Sequence, residues 1–278
     1  MYSIILSIFQ LVRIKNVIIS IVAILFFSNS LLDYNTFNLV CCIVIVVSYL
    51  IGGNIINDYY DYNIDLINKP QSPLVNHFIS LQIAYKIGFS LLIFSFILSL
   101  IFSIYAILIS LLTFIILLVY TTQLKNTPLI GNIVISLLVG LIFVFTELVL
   151  TNQLLNSLPC FILSFILNFC REIIKDMEDI EGDKINNIST FPVVFGFQFS
   201  KYLLIFSILL FIAVSLSPII SQYFTTMYFI LLLFVHIPLF YIIILLFDDL
   251  TSKGCRRVSN LIKMIYAYGL LVILFSLK

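Results

Sequence analysis

The sequence predicts an all-α polytopic membrane protein, with nine transmembrane helices bundled around a central apolar cavity and residues 1–278 forming a single membrane domain. Three observations lead there. Mean hydropathy is +1.21 and charged residues make up only 10% of the chain, which excludes an ordinary soluble domain and a disordered one. The apolar runs are continuous, not alternating, and approach the ~20 residues that span a bilayer as a helix. Helices also satisfy their own backbone hydrogen bonds in lipid, where a strand cannot. The third observation is a one-sided distribution of basic residues, which depends on where the spans are drawn.

Residues 1–16 are apolar and end in Arg13 and Lys15, the reverse of a signal peptide's order. They are expected to lie as a helix on the membrane surface, leading into a first span at 17–32. A second span covers 37–56, after the break at Asp33-Tyr34-Asn35. Residues 79–119 form one apolar stretch interrupted only by Lys86, too long for a single tilted helix. It is divided around Ser99–Ser103 into spans 80–99 and 102–120. The remaining spans are 129–150, opened by Pro128, then 154–170, 202–217, 223–246 and 260–276.

With nine crossings and the amino terminus inside, every basic residue but Lys278 falls on or beside one face, thirteen of the 14. That asymmetry is the positive-inside pattern. Fusing the third and fourth spans would throw Lys125, Arg171, Lys175 and their successors to the opposite side. The expected location is therefore a cell inner membrane, with the carboxyl terminus outside. A net charge of +1 with no basic stripe excludes a nucleic-acid partner. The five cysteines contain no C-x-x-C pair and read as small apolar residues in helices. His77 and His236 have no partner at ligand spacing, so a histidine metal site is excluded.

Two short stretches hold nine of the 13 acidic residues. The first runs from Asn57 to Asp65 and the second from Glu172 to Asp183. Asn57, Asp61 and Asp65 stand at i, i+4, i+8, with Asp58 beside them; Glu172, Asp176, Asp179 and Asp183 follow steps of four, three and four. Each set lines one face of a helix. Like charges at those distances repel and call for cations, and hard carboxylate oxygens suit Mg²⁺, which shares its coordination with substrate phosphates. The first stretch follows span two and the second follows span six, so both emerge on the cytoplasmic face and can face each other. Two such faces can hold two or three Mg²⁺ ions around a diphosphate. Arg171 and Lys175 share the second helix and Lys125 lies in the intervening cytoplasmic loop, placed to neutralise that diphosphate as charge develops on it.

Asn57-Asp58-x-x-Asp61-x-x-x-Asp65 together with Asp179-x-x-x-Asp183 resembles the paired motifs of the UbiA superfamily of intramembrane prenyltransferases. The second stretch is most similar to the geranylgeranylglycerol-phosphate geranylgeranyltransferase group. The likeness extends to Asp65-x-Ile67-Asn68-x-Pro70, to Tyr120-x-x-x-x-Lys125 and to Pro128-x-x-Gly131-Asn132, and covers nearly the whole chain. It departs at Gln71-Ser72-Pro73, where family members often carry an Arg, leaving Lys69 as the nearby cation.

The resemblance implies Mg²⁺-dependent transfer of an isoprenyl group from an allylic diphosphate to a lipophilic acceptor, here geranylgeranylglycerol phosphate. It implies catalytic roles for Asn57, Asp61, Asp65, Asp179 and Asp183 around metal and diphosphate, with Asp58 and Asp176 as supporting ligands. Asn57, Lys125, Arg171 and Lys175 would hold diphosphate oxygens. Tyr59, Tyr60 and Tyr62 flank the first motif, with packing as their expected role. A quinone-pathway aromatic prenyltransferase acting on 4-hydroxybenzoate or 1,4-dihydroxy-2-naphthoate shares the same donor chemistry. A cation transporter is the rival from another class, but it calls for charge near mid-membrane, and the one acidic residue within a span, Glu147, stands near that span's outer end. A phosphatidyl-alcohol transferase would need a single contiguous Asp-Gly-Arg motif that the chain lacks.

The topology is open to direct test. Single cysteines introduced near Gln71, Asn126, Asn187 and Ser252 should label from the cytoplasmic side, and those near Asn35, Asn152 and Ser221 should not. Labelling of positions 126 and 187 from opposite faces would end the parity argument.

Overall fold

Serine and asparagine caps set several of the helix ends. The computed structural model describes residues 2–31, 33–68, 72–247 and 252–278. The helices are α1 (Tyr2–Leu11), α2 (Ile14–Ser28), α3 (Thr36–Tyr60), α4 (Tyr62–Asn68), α5 (Leu81–Ser99), α6 (Ile104–Val119) and α7 (Ile130–Thr151). They continue as α8 (Ser157–Ile185), α9 (Phe191–Phe195), α10 (Phe197–Leu216), α11 (Pro218–Ser221), α12 (Met227–Phe247) and α13 (Ser252–Ser276). A π-helical turn, Tyr120–Leu124, extends α6. Asn35 caps α3 by accepting from Phe37 N at 2.8 Å, and Ser80 caps α5 through Ile83 N at 3.3 Å. The expected division of 79–119 is present: α5 stops at Ser99, and Ser103 Oγ accepts from Ala106 N at 3.4 Å to start α6.

Among the described residues, 8 helices are long and apolar enough to cross a membrane, and α2 is a shorter apolar helix of 15 residues. Together they match the nine expected spans in order. Two ends differ from the expectation. The second span was drawn to residue 56 and the sixth to residue 170, whereas α3 runs to Tyr60 and α8 to Ile185. At ~1.5 Å per residue both exceed the ~30 Å hydrocarbon core. The acidic stretches therefore ride on helical extensions of apolar spans, because polar residues end an apolar run without ending a helix.

The chain divides into two compact units: residues 1–25, 33–124 and 145–153 form one, and 26–32, 125–144 and 154–278 form the other. In the first, α3 packs on α5 by direct backbone approach. A Cβ added to Gly52 would stand 2.8 Å from the Gly88 carbonyl oxygen, and one added to Gly88 would stand 2.9 Å from Ile56 Cγ1. Small residues of this kind let membrane helices gain close van der Waals contact where no hydrophobic drive exists between them. Tyr49 ties α3 to α6 through its hydroxyl, 2.8 Å from Ser110 Oγ. Below this contact Leu11, Ile55, Leu74 and Ala84 form a small core.

The second unit gathers α8, α10, α12 and α13 around Ile173, Ile174, Met177, Leu204, Leu239 and Ile262. Polar groups pair within it: His236 Nε2 lies 2.9 Å from Ser215 Oγ, and the Tyr228 hydroxyl donates to the Ser215 carbonyl at 2.8 Å. All five cysteines are buried, unbridged thiols, as their apolar setting predicts.

Gly52→Ala should therefore destabilise the detergent-solubilised protein by about 1–3 kcal/mol, the usual cost of overpacking. Gly269→Ala is the control, since a Cβ there meets nothing within 4 Å and alanine favours helix. Thermal unfolding of the two variants should separate them; equal melting would mean that the α3–α5 contact yields freely.

Candidate active site

The first acidic stretch begins inside α3 and crosses its end. Asp61 closes the helix at φ −81 and ψ −1. The ladder nonetheless continues, with Asp61 N to Asn57 O at 2.9 Å and Asp65 N to Asp61 O at 2.8 Å. The i, i+4, i+8 stripe thus survives into α4. Asp58, Asp61 and Asp65 are all buried, at 9%, 7% and 3% exposure. Asn57 Nδ2 donates to Asp61 Oδ2 at 3.0 Å, which brings two of the expected site residues together. Asp58 pairs with Arg13, Nη2 to Oδ1 at 2.7 Å. Arg13 reaches it from the corner between α1 and α2, where its backbone takes a left-handed φ of 51. Tyr59 packs edge-on to Tyr60 and against Tyr85. Lys69, Pro70 and Gln71 lie outside the described residues.

The second stretch occupies the last turns of α8. Asp176 Oδ2 accepts from Asn132 Nδ2 of α7 at 2.8 Å. Asp183 Oδ2 accepts from Thr190 Oγ1 at 3.0 Å. Beneath that contact α8 ends in a Schellman turn: Ile188 N donates to Asp183 O at 2.9 Å and Asn187 N to Lys184 O at 3.3 Å. Asn187 takes the left-handed φ of 55 that this turn needs. Burial raises the Asp183 carboxyl above its ordinary value, and Asp183 also feels the charges of Asp179, Lys175 and Lys125. Arg171 pairs with its neighbour Glu172, and Arg256 takes Glu178 at 3.0 Å on the surface. Deeper along α8, the Tyr266 hydroxyl donates to Asn168 Oδ1 at 2.8 Å.

The first set of acids runs from the end of α3 into the first turn of α4; the second stands at the carboxyl end of α8, where the helix dipole already presents about half a negative charge. Such a position disfavours further anions and attracts cations. Among the described residues no three or more His, Cys, Asp or Glu side chains converge as a preformed metal cluster. The donor set still fits Mg²⁺. It is all oxygen, and Mg²⁺ takes one or two carboxylates and completes its shell with water and phosphate. Asn57 Oδ1 is moreover buried with no hydrogen-bond partner, an acceptor left open beside Asp61. Asn54 Nδ2, one turn earlier on α3, is also buried and without a partner.

Sequence reasoning missed several of these residues. Arg13 and Thr190 carry no local signal for their roles. Asn132 stood within a quoted tract but without a function. Asn54 was readable, because it extends the stripe by three residues before Asn57.

The UbiA prenyltransferase family matches residues 16–267. The chain belongs to that family. Digeranylgeranylglyceryl phosphate synthase of Methanococcus vannielii is 32% identical to it over 272 residues, 96% of each chain. The Saccharolobus solfataricus protein of the same name is 33% identical over 275 residues, 97% of this chain and 96% of that one. A solved structure of digeranylgeranylglyceryl phosphate synthase superposes at a TM-score of 0.79 with 31% identity, over 99% of this chain and 98% of that one. A UbiA homologue from Archaeoglobus fulgidus bound to GPP and Mg²⁺ gives a TM-score of 0.73 over 96% of this chain and 99% of that one, and at 16% identity speaks for the fold alone. As a UbiA protein the chain is an integral membrane prenyltransferase, and the transporter and phosphatidyl-alcohol transferase readings are set aside.

The Arg13–Asp58 pair is partly exposed, with side-chain exposures of 37% and 11%. A double-mutant cycle with Arg13→Ala and Asp58→Asn should give a coupling of about 1–2 kcal/mol, between surface pairs and buried ones. Zero coupling in unfolding experiments would show that the pair does not fix the α1–α2 corner.

Proposed function

We propose that this UbiA protein transfers a geranylgeranyl group from its diphosphate to the free hydroxyl of geranylgeranylglycerol phosphate, an ether-lipid precursor. The observation that carries the reading is the full-length likeness to digeranylgeranylglyceryl phosphate synthases, joined to two acidic helix ends whose donors suit a metal-bound diphosphate. The whole chain acts as one membrane domain in a cell inner membrane, with the amino terminus inside and the acids toward the cytoplasm.

In this proposal Asn57, Asp61 and Asp65 hold Mg²⁺ at the first motif, and Asp179 and Asp183 hold it at the second, with Asp58 and Asp176 in support. Bound Mg²⁺ neutralises the diphosphate and makes it a better leaving group. Lys125 and Lys175 meet diphosphate oxygens, and Arg171 joins them by exchanging its contact with Glu172. The allylic C–O bond breaks, its electron pair leaving with the diphosphate. The acceptor hydroxyl oxygen then bonds to the allylic carbon and gives up its proton to the departing diphosphate. Thr190 and Asn132 keep Asp183 and Asp176 oriented throughout. Apolar helices exclude the water that would otherwise quench the cation.

Purified protein should release diphosphate from labelled geranylgeranyl diphosphate when given geranylgeranylglycerol phosphate, and not with 4-hydroxybenzoate or 1,4-dihydroxy-2-naphthoate. Asp61→Ala and Asp183→Ala should each lower turnover by at least about 10²-fold while remaining folded, in line with loss of a charge-stabilising group. Full activity in excess EDTA would remove the Mg²⁺ mechanism. Preference for an aromatic acid would move the chain to the quinone pathway.

A further inference from the structure

Asn54 has a place on α3 that the chemistry above does not use. At 3.6 residues per turn it projects into the middle of the roughly 100° arc between Asn57 and Asp58, in line with Asp61. Its neighbours Gly52, Gly53 and Ile56 point elsewhere, toward Gly88, Leu117 and α5. Asn54 is therefore the innermost polar member of the stripe, one turn further from the acidic end of the helix. Its Nδ2 is buried and makes no hydrogen bond, and the same holds for Asn57 Oδ1. Native interiors leave few such atoms unpaired, and each one calls for a reason.

The two open atoms have opposite polarity. Asn57 Oδ1 accepts and suits a cation. Asn54 Nδ2 donates and suits an anionic oxygen. We propose that Asn54 is a further catalytic residue, whose amide donates to an oxygen of the isoprenyl diphosphate on the phosphate next to the allylic carbon. Depth selects that phosphate. The isoprenyl chain must run from the acids into the apolar interior, so the phosphate that bears it lies on the inner side. As the C–O bond breaks, the electron pair moves onto the oxygen of that phosphate. A donor already fixed there strengthens as charge develops and needs no reorganisation.

This inference rests on the prenyl-transfer reading, but it can be measured apart from turnover. Full-length wild type, Asn54→Leu, Asn54→Ala and Asn54→Asp are melted with and without Mg²⁺ plus inorganic diphosphate, and assayed with geranylgeranyl diphosphate. Asn54→Leu removes an unpaired buried donor, so without ligand it should melt at or above the wild-type temperature. It should lose most of the stabilisation by Mg²⁺-diphosphate, and kcat should fall about 10²–10³-fold, as for removal of one oxyanion donor. Asn54→Ala repeats the test without added bulk.

Asn54→Asp should bind diphosphate worse still, by repulsion. A leucine variant that melts lower but binds and turns over normally would make Asn54 a packing residue and overturn the proposal. So would an aspartate variant that binds as well as wild type, since the group would then face the metal. A wild type that binds Mg²⁺-diphosphate through Asn54 yet transfers no isoprenyl group would remove the prenyl-transfer reading and leave the contact standing.

Discussion

A carboxylate taken out of water must be paired or hydrogen-bonded, and every other feature of this protein accommodates that demand. Apolar sequence dominates, yet Asp58, Asp61, Asp65, Glu172 and Asp183 are all buried. Asp58 takes the Arg13 guanidinium, Asp61 the Asn57 amide and Asp183 the Thr190 hydroxyl. A carboxylate offers about four lone-pair sites. A neutral donor, such as the Asn57 amide on Asp61 or the Thr190 hydroxyl on Asp183, orients a carboxylate without neutralising it.

Helix length supplies the second half of the arrangement. α3 and α8 are the helices that carry the acids, at 25 and 29 residues, and both outlast a bilayer core. Apolar turns anchor the helix, and the overrun lifts the charged turns toward the polar boundary. At the carboxyl end of α8 dipole and side chains add, so a helix that spans the membrane also concentrates negative potential at its tip. Thr190 and the Schellman turn hold the α8 tip, while the continued ladder through Asp61 holds that of α3.

Most of the fold was legible in the sequence, because apolar length is a direct physical signal. The division near Ser99–Ser103 held since serine ends one helix and caps the next. The helix ends at Tyr60 and Ile185 were not legible from hydropathy, which reports lipid contact and is blind to continued backbone hydrogen bonding. Spacing showed which acids share a face, but not what holds them. Arg13 reaches Asp58 across 45 residues and Asn132 reaches Asp176 across 44, and no local pattern encodes such a meeting. Asn54 sat in plain view at helical spacing and was passed over because an amide carries no charge to draw attention.

The approach of Gly52 to Gly88 carries a consequence for where this enzyme can work. Contact between bare backbones rests on dispersion and weak Cα–H···O attraction, neither of which responds to headgroup charge, salt or the chemistry of lipid tails. The first motif is thus registered against α5 by a joint indifferent to its solvent. Such a joint asks nothing of the headgroups or tails around it, so the alignment of the first motif with α5 is carried by the protein itself.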